Sequence, residues 1–537
     1  MPKARGTYTQ PQLRNLAPKL LELCGPVPPA GHRLRIAMIP VSANNSRFWI
    51  IQALLAVTLR ARGHDVRFVL CDRAQEACQF LTRHPEARWQ RHCQHCWQRF
   101  IDDYQGLGFP IDRVSQLDAP GRVDDDTNDD RRDAADWSDA DEAHARATLC
   151  RQRRTGTAAM ADDDDPDLRL FRRTVRQFGR VGRSLVDRGL DIAIMPDGLY
   201  ATYGKLLDVF RDAGVGTLVH GRGRRRLREG FSWDRPVSDW DLTATWDAIG
   251  DLPLTPHQTG QIDAYLESRK SHAGEAFSYT FGEAGDRDHI RERLGIHDDR
   301  PLDVMFPNLL WDANVVGRAR AFPDQPSWID ATVRHYAARR DRVLCIKAHP
   351  AEVVRGAEES AADLAIDALR RIDPAADPTD RSRAGSVVVI RPDEPFHSDS
   401  MIRAADRPLV FTGTVGLEAA AMGKTAVIAG RTHYGSKGFT IDPKSPTEYL
   451  AALDAEDLPR EVTAELARRY FHLWAFGAQV PWPFFDDGPM GHIETISERQ
   501  LAGFGSHDSV RLVVDAIEHR TPVIAADARR VSAAAAA

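Results

Sequence analysis

The sequence has no long hydrophobic run and few cysteines. No window approaches the ~20 apolar residues that a membrane-spanning helix needs. The N-terminal stretch MPKARGTYTQPQLRNLAPKL also lacks the apolar core of a signal peptide. Seven cysteines in 537 residues are too sparse for the disulfide framework of a small secreted domain. We therefore expect a cytoplasmic protein without a transmembrane segment.

The chain also lacks an excess of positive charge. Its net charge is -6, with 28% charged residues, so no nucleic-acid partner is expected. One short basic run, Arg222–Arg226, is interpreted as a loop or as a contact for an anionic ligand. The length of 537 residues exceeds what one hydrophobic core supports and predicts two or three domains.

Short apolar runs alternate with helical segments along the chain. They read LRIAMIPV, VRFVLC, DIAIMP and VGTLVHG in the first half, then LDVMFPNL, RVLCIKAHP, SVVVIRP, PLVFTG and TAVIAG in the second. Strands separated by single helices predict parallel, doubly wound sheets. The loop after the first strand, 42–46, has no GxGxxG pattern, so the dinucleotide fingerprint is absent. The predicted fold class is α/β, with two Rossmann-like domains facing one cleft.

Composition sets the predicted domain boundaries. Residues 1–290 are expected to form the N-terminal domain and residues 291–465 the C-terminal domain. Residues 466–537 are expected to be a helical segment that packs back on the first domain and has a disordered end. An acidic stretch at about 118–167 has few residues able to build a core and is expected to be largely a mobile insertion. Asp-x-Asp spacings arise there by chance, so they do not indicate a metal site.

Small and polar residues follow the strand PLVFTG. Thr412, Gly413 and Thr414 precede a helix, where backbone N–H groups and two hydroxyls can bind a phosphate. Glu418, one turn into that helix, can accept hydrogen bonds from ribose hydroxyls. Threonine and glycine are also ordinary capping residues, so a structural role fits this loop as well.

Other strands of the second half are also followed by polar residues. Asn308 and Asp312 come after LDVMFPNL, and His433 and Lys437 come after TAVIAG. Because the carboxyl ends of parallel strands meet at one edge of a sheet, these residues are predicted to lie near the threonine loop. For Asn308 and Asp312, which are candidate substrate contacts, capping of the loop is the alternative.

A basic and acidic cluster ends the strand VLCIK. His349 can hydrogen-bond or protonate a departing phosphate, and Lys347 and Glu352 are its predicted neighbours at a nucleotide. In the first half, Asp197 follows the strand DIAIMP and is the candidate base or nucleophile, with a turn aspartate as the alternative.

A four-cysteine cluster is a candidate metal site. The spacings x6, x14 and x2 separate Cys71, Cys78, Cys93 and Cys96. Four thiols with one CxxC pair have the ligand number of a structural zinc site, with His92 and His95 as competing ligands. Four free thiols are the other interpretation, since the first spacing is irregular.

The second half resembles the bacterial capsular polysaccharide biosynthesis family, glycosyltransferases of the GT-B type that include capsule Kdo transferases. The similar segments are NLLWDANVVGRARAF, SWIDATV, IKAHPAEVVRG, the 412–418 loop and helix, and GRTHYGSKGFTIDPKSPTEYL, with weaker similarity in DIAIMPDGLYATYGKLLDVFRDAG and RYFHLWAF. The resemblance implies that His349, Thr412, Thr414 and Glu418 hold the nucleotide and that Asp197 lies on the acceptor side. The chain departs from the family pattern at Asp197-Gly198, in place of Asn-Gly, and at Gly413-Thr414, in place of Ser-Thr.

The expected function is therefore a metal-independent GT-B glycosyltransferase. It would move a sugar from a nucleotide-sugar donor to a saccharide or small-molecule acceptor and need no other cofactor for catalysis. Three alternatives stay open: a sugar-nucleotide epimerase or hydrolase, a CDP-polyol phosphotransferase on the same fold, and a non-catalytic assembly partner.

Overall fold

The structure is a computed structural model that describes most of the chain. The described residues are 7–8, 13–41, 46–75, 77–78, 86–118, 137–271, 282, 284–312, 315, 317–382, 385–455, 460–488 and 493–525. They form two compact units. Unit 1 contains the described residues up to Gln152, Ala159–Asp241 and 475–525, and unit 2 contains Arg153–Ala158 and Leu242–Trp474.

The secondary structure alternates between strands and helices. The strands are β1 (Thr7–Tyr8), β2 (Arg35–Val41), β3 (Asp65–Leu70), β4 (Ile111–Arg113), β5 (Ile192–Pro196), β6 (Gly216–Arg222), β7 (Arg228–Trp233), β8 (Leu302–Phe306), β9 (Val343–Lys347), β10 (Val387–Ile390), β11 (Arg407–Val410), β12 (Val427–Ile428), β13 (Gln479–Pro481), β14 (Asp486–Asp487) and β15 (Ile493–Ser497). The α-helices are Leu13–Leu16, Leu20–Cys24, Ser46–Ala61, Glu86–Gln105, Val114–Asp118, Asp139–Arg153, Pro166–Asp187, Lys205–Asp212, Thr243–Ile249, Pro256–Ser268, Arg287–Arg293, Gln325–Ala337, Ala351–Arg355, Ala361–Arg370, Ser398–Ala404, Val415–Ala421, Pro446–Asp454, Arg460–His472, Glu498–Leu501 and Asp508–His519. Within these ranges no helix combines the length and the apolar composition needed to cross a bilayer.

Unit 1 is built on a seven-stranded sheet in the order β13-β7-β6-β5-β2-β3-β4. Strands β2 to β6 pair in parallel, whereas β7 and β13 pair antiparallel at one edge. Separate apolar clusters cover the two faces, because alternate residues of a strand such as β2 point to opposite sides. A small antiparallel sheet, β1-β15-β14, completes the unit.

Unit 2 is built on a five-stranded, all-parallel sheet in the order β10-β9-β8-β11-β12. The strands are short and fully buried, and apolar clusters lie on both faces of the sheet. This pattern is typical of a doubly wound sheet covered by helices on both sides. The prediction of two Rossmann-like α/β domains is confirmed.

The boundaries differ from the predicted ones in three places. Residues 242–290 were predicted in the N-terminal domain, but Leu242 and the described residues that follow it group with unit 2. Residues 475–525 group with unit 1 and include β13, β14 and β15, so the predicted C-terminal helical segment starts later and also contains strands. Residues 526–537, the predicted disordered end, lie outside the described residues.

Part of the acidic stretch at about 118–167 forms a helix. Residues 119–136 lie outside the described part of the chain, but the helix Asp139–Arg153 follows directly after them. That helix buries Ala145, Thr148 and Leu149, and Asp141 forms a buried ion pair with Lys205 at 2.6 Å. Within the predicted insertion, residues 139–153 thus form a helix, and an acidic side chain of that helix pairs with a basic residue of unit 1.

Candidate functional site

The carboxyl edge of the unit 2 sheet carries most of the predicted nucleotide contacts. The chain runs from β8 outward to β10 on one side and then crosses to β11 on the other. The topological switch point therefore lies between β8 and β11, the place where open α/β sheets bind ligands. Asn308 follows β8 and Thr412 follows β11, and the Asn308 side-chain oxygen accepts a hydrogen bond from the Thr412 N–H at 3.2 Å. The structure thus brings these two residues together at the switch point.

Side-chain hydrogen bonds hold the loop between β11 and the helix Val415–Ala421 in place. The helix has seven residues, and Thr414, which precedes it as the N-cap residue, makes no capping hydrogen bond from its side chain. Its hydroxyl lies 3.4 Å from a carboxylate oxygen of Glu418, to which it donates, and the Tyr434 hydroxyl donates to the Gly413 carbonyl at 2.5 Å. A helix this short contributes little dipole, so the helix N-terminus is a weaker phosphate site than the sequence predicted.

Gly416 of this helix packs closely against β12 and the loop that follows it. A Cβ atom at Gly416 would collide with the Tyr434 hydroxyl and lie 2.7 Å from the Ile428 Cδ1 atom. Overpacking of this kind typically costs about 1–3 kcal/mol. We expect Gly416→Ala to lower the free energy of unfolding in urea by about that amount.

Gly260 provides the matched control for this prediction. It also lies in a helix of unit 2, Pro256–Ser268, but a Cβ atom there would meet nothing within 4 Å. Because alanine has the higher helix propensity, Gly260→Ala should leave stability unchanged or raise it. Equal stabilities of the two variants would contradict the packing described at Gly416.

Glu418 is fully buried and forms an ion pair with Arg269. Its carboxylate lies 3.0 Å from the Arg269 guanidinium, which is also buried. The Glu418 carboxylate is 0% exposed, so the predicted contact with ribose hydroxyls stays a prediction. In the structure Glu418 holds Arg269, the residue that follows the helix Pro256–Ser268.

Lys347 is the buried cation at the end of β9. Only 4% of its surface is exposed, and burial lowers its pKa from 10.5 to about 8. Among the described residues it has no hydrogen-bond or ion-pair partner. A charged group in such a position is costly unless an opposite charge compensates it. An anionic ligand at the sheet edge would supply that charge.

His349 follows Lys347 and is half-buried. Its Nδ1 atom accepts a hydrogen bond from the Ala351 N–H at 3.0 Å, so the neutral ring carries its proton on Nε2. A histidine in this tautomer can donate a hydrogen bond to a phosphate oxygen.

Glu352 makes hydrogen bonds within unit 2. It is buried, and its carboxylate accepts hydrogen bonds from the Ser360 hydroxyl at 2.6 Å and the Ala361 N–H at 3.3 Å. Burial raises its pKa to about 7. In the structure Glu352 holds the start of the helix Ala361–Arg370, and its contact with a nucleotide stays a prediction.

His397 and Arg269 join Lys347 in a basic group that the sequence interpretation missed. Burial lowers the pKa of His397, and the positive charges of Arg269 and Lys347 lower it further, against the opposite effect of Asp399. His397 lies between β10 and the helix Ser398–Ala404, so the rule of polar residues after strands would have found it. Arg269 carries no such signal, because it follows the helix Pro256–Ser268 and not a strand.

His433 and Lys437 lie in the loop after β12, as predicted, but in different surroundings. The His433 ring stacks on Tyr470, and its Nδ1 lies 3.1 Å from the Tyr470 hydroxyl. Burial lowers the His433 pKa to about 3, so the ring is neutral and its role in the loop is packing. Lys437 is half-exposed and donates to the Thr243 hydroxyl at 3.3 Å, so it is the better placed of the two for a ligand.

Asp312 lies in a turn after β8. It is half-buried, and its carbonyl accepts a hydrogen bond from the Val315 N–H at 3.0 Å. Arg318, which follows this turn, is buried, and its positive charge acts on His433. The Arg318 carbonyl accepts from the Arg431 N–H at 2.8 Å, which ties the loops after β8 and β12 together.

Asp197 lies in unit 1, directly after β5. The switch point of that sheet falls between β2 and β5, because the chain runs from β2 to β4 on one side and then crosses to β5. Asp197 has a φ of 57°, and its N–H donates to the His220 carbonyl at 3.0 Å. The structure therefore places Asp197 at the ligand-binding edge of its own unit. Residues 42–45 of the predicted loop after the first apolar run lie outside the described residues.

The four clustered cysteines line one cavity in unit 1. Cys71, Cys78, Cys93 and Cys96 all border it, and no disulfide joins them. Among the described residues, no group of three or more His, Cys, Asp or Glu side chains is arranged to hold a metal ion. The structure thus brings the four thiols to one place without showing a finished coordination site.

Comparisons with known proteins give similarities to solved structures alone. No protein-family profile and no curated protein sequence matches the chain. KpsC of Thermosulfurimonas dismutans, a beta Kdo 2,4 transferase, is 17% identical and aligns over 52% of this chain and 79% of its own, with a TM-score of 0.33. The alpha,alpha-trehalose 6-phosphate synthase of Burkholderia multivorans is 12% identical over 94% and 98%, with a TM-score of 0.32. The UDP-GlcNAc 2-epimerase of Neisseria meningitidis, bound to UDP-GlcNAc, is 8% identical over 90% and 99%, with a TM-score of 0.26. The chain is thus similar to Kdo transferase, synthase and epimerase structures, all at TM-scores below 0.5.

Proposed function

We propose that this protein is a metal-independent glycosyltransferase of the GT-B type that uses a nucleotide sugar as donor. One observation carries the proposal: Lys347, a buried lysine without a hydrogen-bond or ion-pair partner among the described residues, ends β9 at the carboxyl edge of a doubly wound sheet. A phosphate of the donor is the anion that best compensates such a charge.

In this proposal unit 2 binds the nucleotide. Lys347 neutralises a phosphate oxygen, and the Nε2–H of His349 donates a hydrogen bond to the same leaving group. Asn308 and Thr412 shape the loop at the switch point, while Lys437 and Asp312 contribute partly exposed polar groups. His397 is neutral at pH 7, because burial lowers its pKa, and Arg269 is paired with Glu418, so Lys347 supplies the positive charge for the phosphates.

Asp197 supplies the carboxylate for the transfer step. As a general base it would take the proton of an acceptor hydroxyl while that oxygen bonds to the anomeric carbon and the bond to the phosphate oxygen breaks. As a nucleophile it would bond to the anomeric carbon while the bond to the phosphate oxygen breaks, and the acceptor hydroxyl would then displace the carboxylate and lose its proton to solvent. Both roles place Asp197 on the acceptor side, and the acceptor is a saccharide or a small hydroxyl compound.

A thermal-shift screen tests the nucleotide site. UDP, GDP, ADP, CMP and dTDP sugars would each be added to the full-length protein. A ligand at 100 times its Kd stabilises the folded state by about 2.7 kcal/mol, so a true donor should raise the melting temperature clearly. If none of these donors stabilises the protein, the proposal fails.

The affinity for that donor should fall as the pH rises above about 8. Lys347 binds phosphate only when protonated, and burial lowers its pKa to about 8 in the free protein. Above that pH the protonated fraction, and with it the affinity, should drop by about tenfold per pH unit. Isothermal titration between pH 6 and 9 measures this dependence, because neither the pyrophosphate nor the base of a nucleotide sugar changes its charge there to a large extent. A flat profile for the wild-type protein would exclude Lys347 as the phosphate contact.

A further inference from the structure

One face of the helix Asp139–Arg153 contacts the segment that follows Asp197 in unit 1. Four polar residues of the helix, spaced by three or four positions, lie on that face: Asp141, His144, Thr148 and Arg151. Each of them bonds to a residue of the segment 200–208. Part of the acidic stretch of the chain thus packs beside the candidate carboxylate.

The turn that carries Asp197 has an unusual backbone. φ is 57° at Asp197, 73° at Gly198 and 67° at Tyr200, all in the left-handed region. Glycine adopts this region freely, whereas a bulky residue such as tyrosine keeps it only when its surroundings hold it there. Tyr200 also begins the π-helical turn Tyr200–Gly204. The shape of the turn therefore depends on the contacts of Tyr200 and its neighbours.

The strands hold only the first part of this turn. The Asp197 N–H donates to the His220 carbonyl of β6 at 3.0 Å, and the Asp197 carbonyl accepts from the Val237 N–H at 3.3 Å. Both bonds end at Asp197 itself. Other groups must hold the part of the turn that contains Tyr200.

Arg151 and Thr148 hold that second part. The Nη1 atom of Arg151 donates to the Tyr200 hydroxyl at 2.8 Å, and the guanidinium lies 4.7 Å from the centre of the Tyr200 ring. The Thr148 hydroxyl donates to the His144 carbonyl at 2.7 Å and accepts from the Ala201 N–H at 2.8 Å. Thr148 and Ala201 are buried, so without this hydroxyl the amide would lack a partner.

The other two residues of the same face hold the helix that begins at Lys205. The Asp141 carboxylate lies 2.6 Å from the Lys205 ammonium, and the His144 Nε2 atom lies 2.8 Å from a carboxylate oxygen of Asp208. A Cβ atom at Gly204 would collide with the His144 ring, so the two helices pack closely. The contact therefore extends along the whole segment from 200 to 208.

We propose that the helix Asp139–Arg153 positions the carboxylate of Asp197 and that Arg151 and Thr148 are its positioning residues. This inference rests on the proposed function, in which Asp197 acts in the transfer step. The bonds of the two residues go to Tyr200 and Ala201, so they act on the carboxylate through the backbone of the turn. Misplacement of a reacting group by about 1 Å can lower turnover about 100-fold, so the effect should fall on kcat.

Hydrogen exchange of the full-length protein tests whether the helix holds the turn, independently of activity. In Arg151→Met and in Thr148→Val, the amides of residues 197–204 should exchange about 10-fold faster or more, because the turn loses a bond that holds it. Thr148→Ser keeps the hydroxyl and should restore slow exchange. Mass spectrometry of peptic peptides measures the rates.

Arg146→Met is the matched control. Arg146 lies in the same helix and is half-buried like Arg151, but its guanidinium donates to Glu142 at 2.6 Å and to the Ala159 carbonyl at 2.9 Å. Its replacement removes an arginine and its hydrogen bonds without touching the segment 200–208. The exchange of residues 197–204 should therefore stay at the wild-type rate.

Steady-state kinetics of the same variants tests the effect on sugar transfer. Arg151→Met and Thr148→Val should lower kcat about 10- to 100-fold and leave the KM for the nucleotide sugar within about twofold. Thr148→Ser should regain most of kcat, and Arg146→Met should match the wild type. A general loss of folding would instead affect Arg146→Met as well.

Two results would overturn the proposal. One is unchanged exchange of residues 197–204 in both Arg151→Met and Thr148→Val, and the other is faster exchange with a wild-type kcat. A wild-type protein that transfers no sugar would overturn the proposed function instead. Faster exchange in the two variants would then still support the hold of the helix on the turn.

Discussion

Replacing Asp197 with asparagine should lower kcat for sugar transfer by about 10²- to 10⁴-fold, the usual contribution of a positioned base. Asparagine keeps the shape of the side chain but cannot accept the proton of the acceptor hydroxyl. It also tolerates the left-handed backbone at this position, where φ is 57°. The affinity for the nucleotide sugar should stay within about twofold of wild type, because the proposed phosphate contacts lie in unit 2. Steady-state kinetics and isothermal titration measure the two effects separately.

Asp234→Asn is the control for this variant. Asp234 has a similar φ of 55° and follows β7 in the same unit, where its carboxylate accepts from the Thr217 N–H at 2.8 Å. Asparagine retains an oxygen for that bond, so turnover should be close to wild type. If Asp197→Asn remains as active as Asp234→Asn, Asp197 has no part in the chemistry.

Replacing Lys347 with methionine should raise the Kd for the nucleotide sugar by about 10- to 100-fold. Hydrogen bonds that involve a charged group contribute about 1.5–3 kcal/mol, and 1.4 kcal/mol corresponds to a factor of ten in Kd. The pH dependence of binding above pH 8 should disappear in the same variant, because the titrating ammonium is gone. Isothermal titration at pH 7 and pH 9 measures both results.

The same substitution should not destabilise the fold. The pKa of Lys347 is lower in the folded protein than its ordinary value of 10.5, so the unfolded chain binds the proton more tightly. Burial of the protonated lysine therefore lowers the free energy of unfolding, and this loss has its full size below about pH 8. The loss decreases between pH 8 and 10.5, because the lysine of the folded protein is then neutral. Methionine removes the loss, so the free energy of unfolding at pH 7 should stay level or rise.

Lys424 of the same unit is the control, because it is a lysine whose ammonium has hydrogen-bond partners. Its ammonium donates to the carbonyls of Arg403 at 2.9 Å and Ala405 at 2.8 Å. Lys424→Met should lower the free energy of unfolding by about 1–3 kcal/mol and leave nucleotide affinity unchanged. If Lys347→Met loses stability as Lys424→Met does and binds the donor normally, Lys347 is a structural lysine.

The strands of both sheets could be predicted because each is a buried apolar run between helices. All nine predicted strands are present, from β2 to β12, since a parallel sheet buried on both faces leaves a continuous hydrophobic signal. Six strands were not predicted: β4, β7 and β13 of the seven-stranded sheet, and β1, β14 and β15 of the small antiparallel sheet. β7 reads REGFSW and includes Glu229, whose buried charge is offset by Arg47, a partner distant in the sequence. A local pattern cannot reveal such a pairing.

The position of the candidate site could be predicted from the sequence, whereas the contacts of each side chain could not. The switch point follows from strand order, and Asn308, Lys347 and Thr412 do lie at that sheet edge. Glu352 and Glu418 were expected to face a ligand, but they bind Ser360 and Arg269 in the interior. The pattern of strands does not indicate these contacts, because the partners lie in helices or at helix ends. The burial of both glutamates is therefore seen only in the structure.

Identification of the reaction products tests the central claim most directly. The full-length protein would be incubated with the nucleotide sugar that stabilises it, with and without acceptor, and the products separated and weighed by mass spectrometry. A glycosyltransferase yields the free nucleotide with its phosphates and an acceptor that has gained one sugar, and it consumes donor only when acceptor is present. A donor that is isomerised or hydrolysed without acceptor, or a product that has gained phosphorus, would contradict the account.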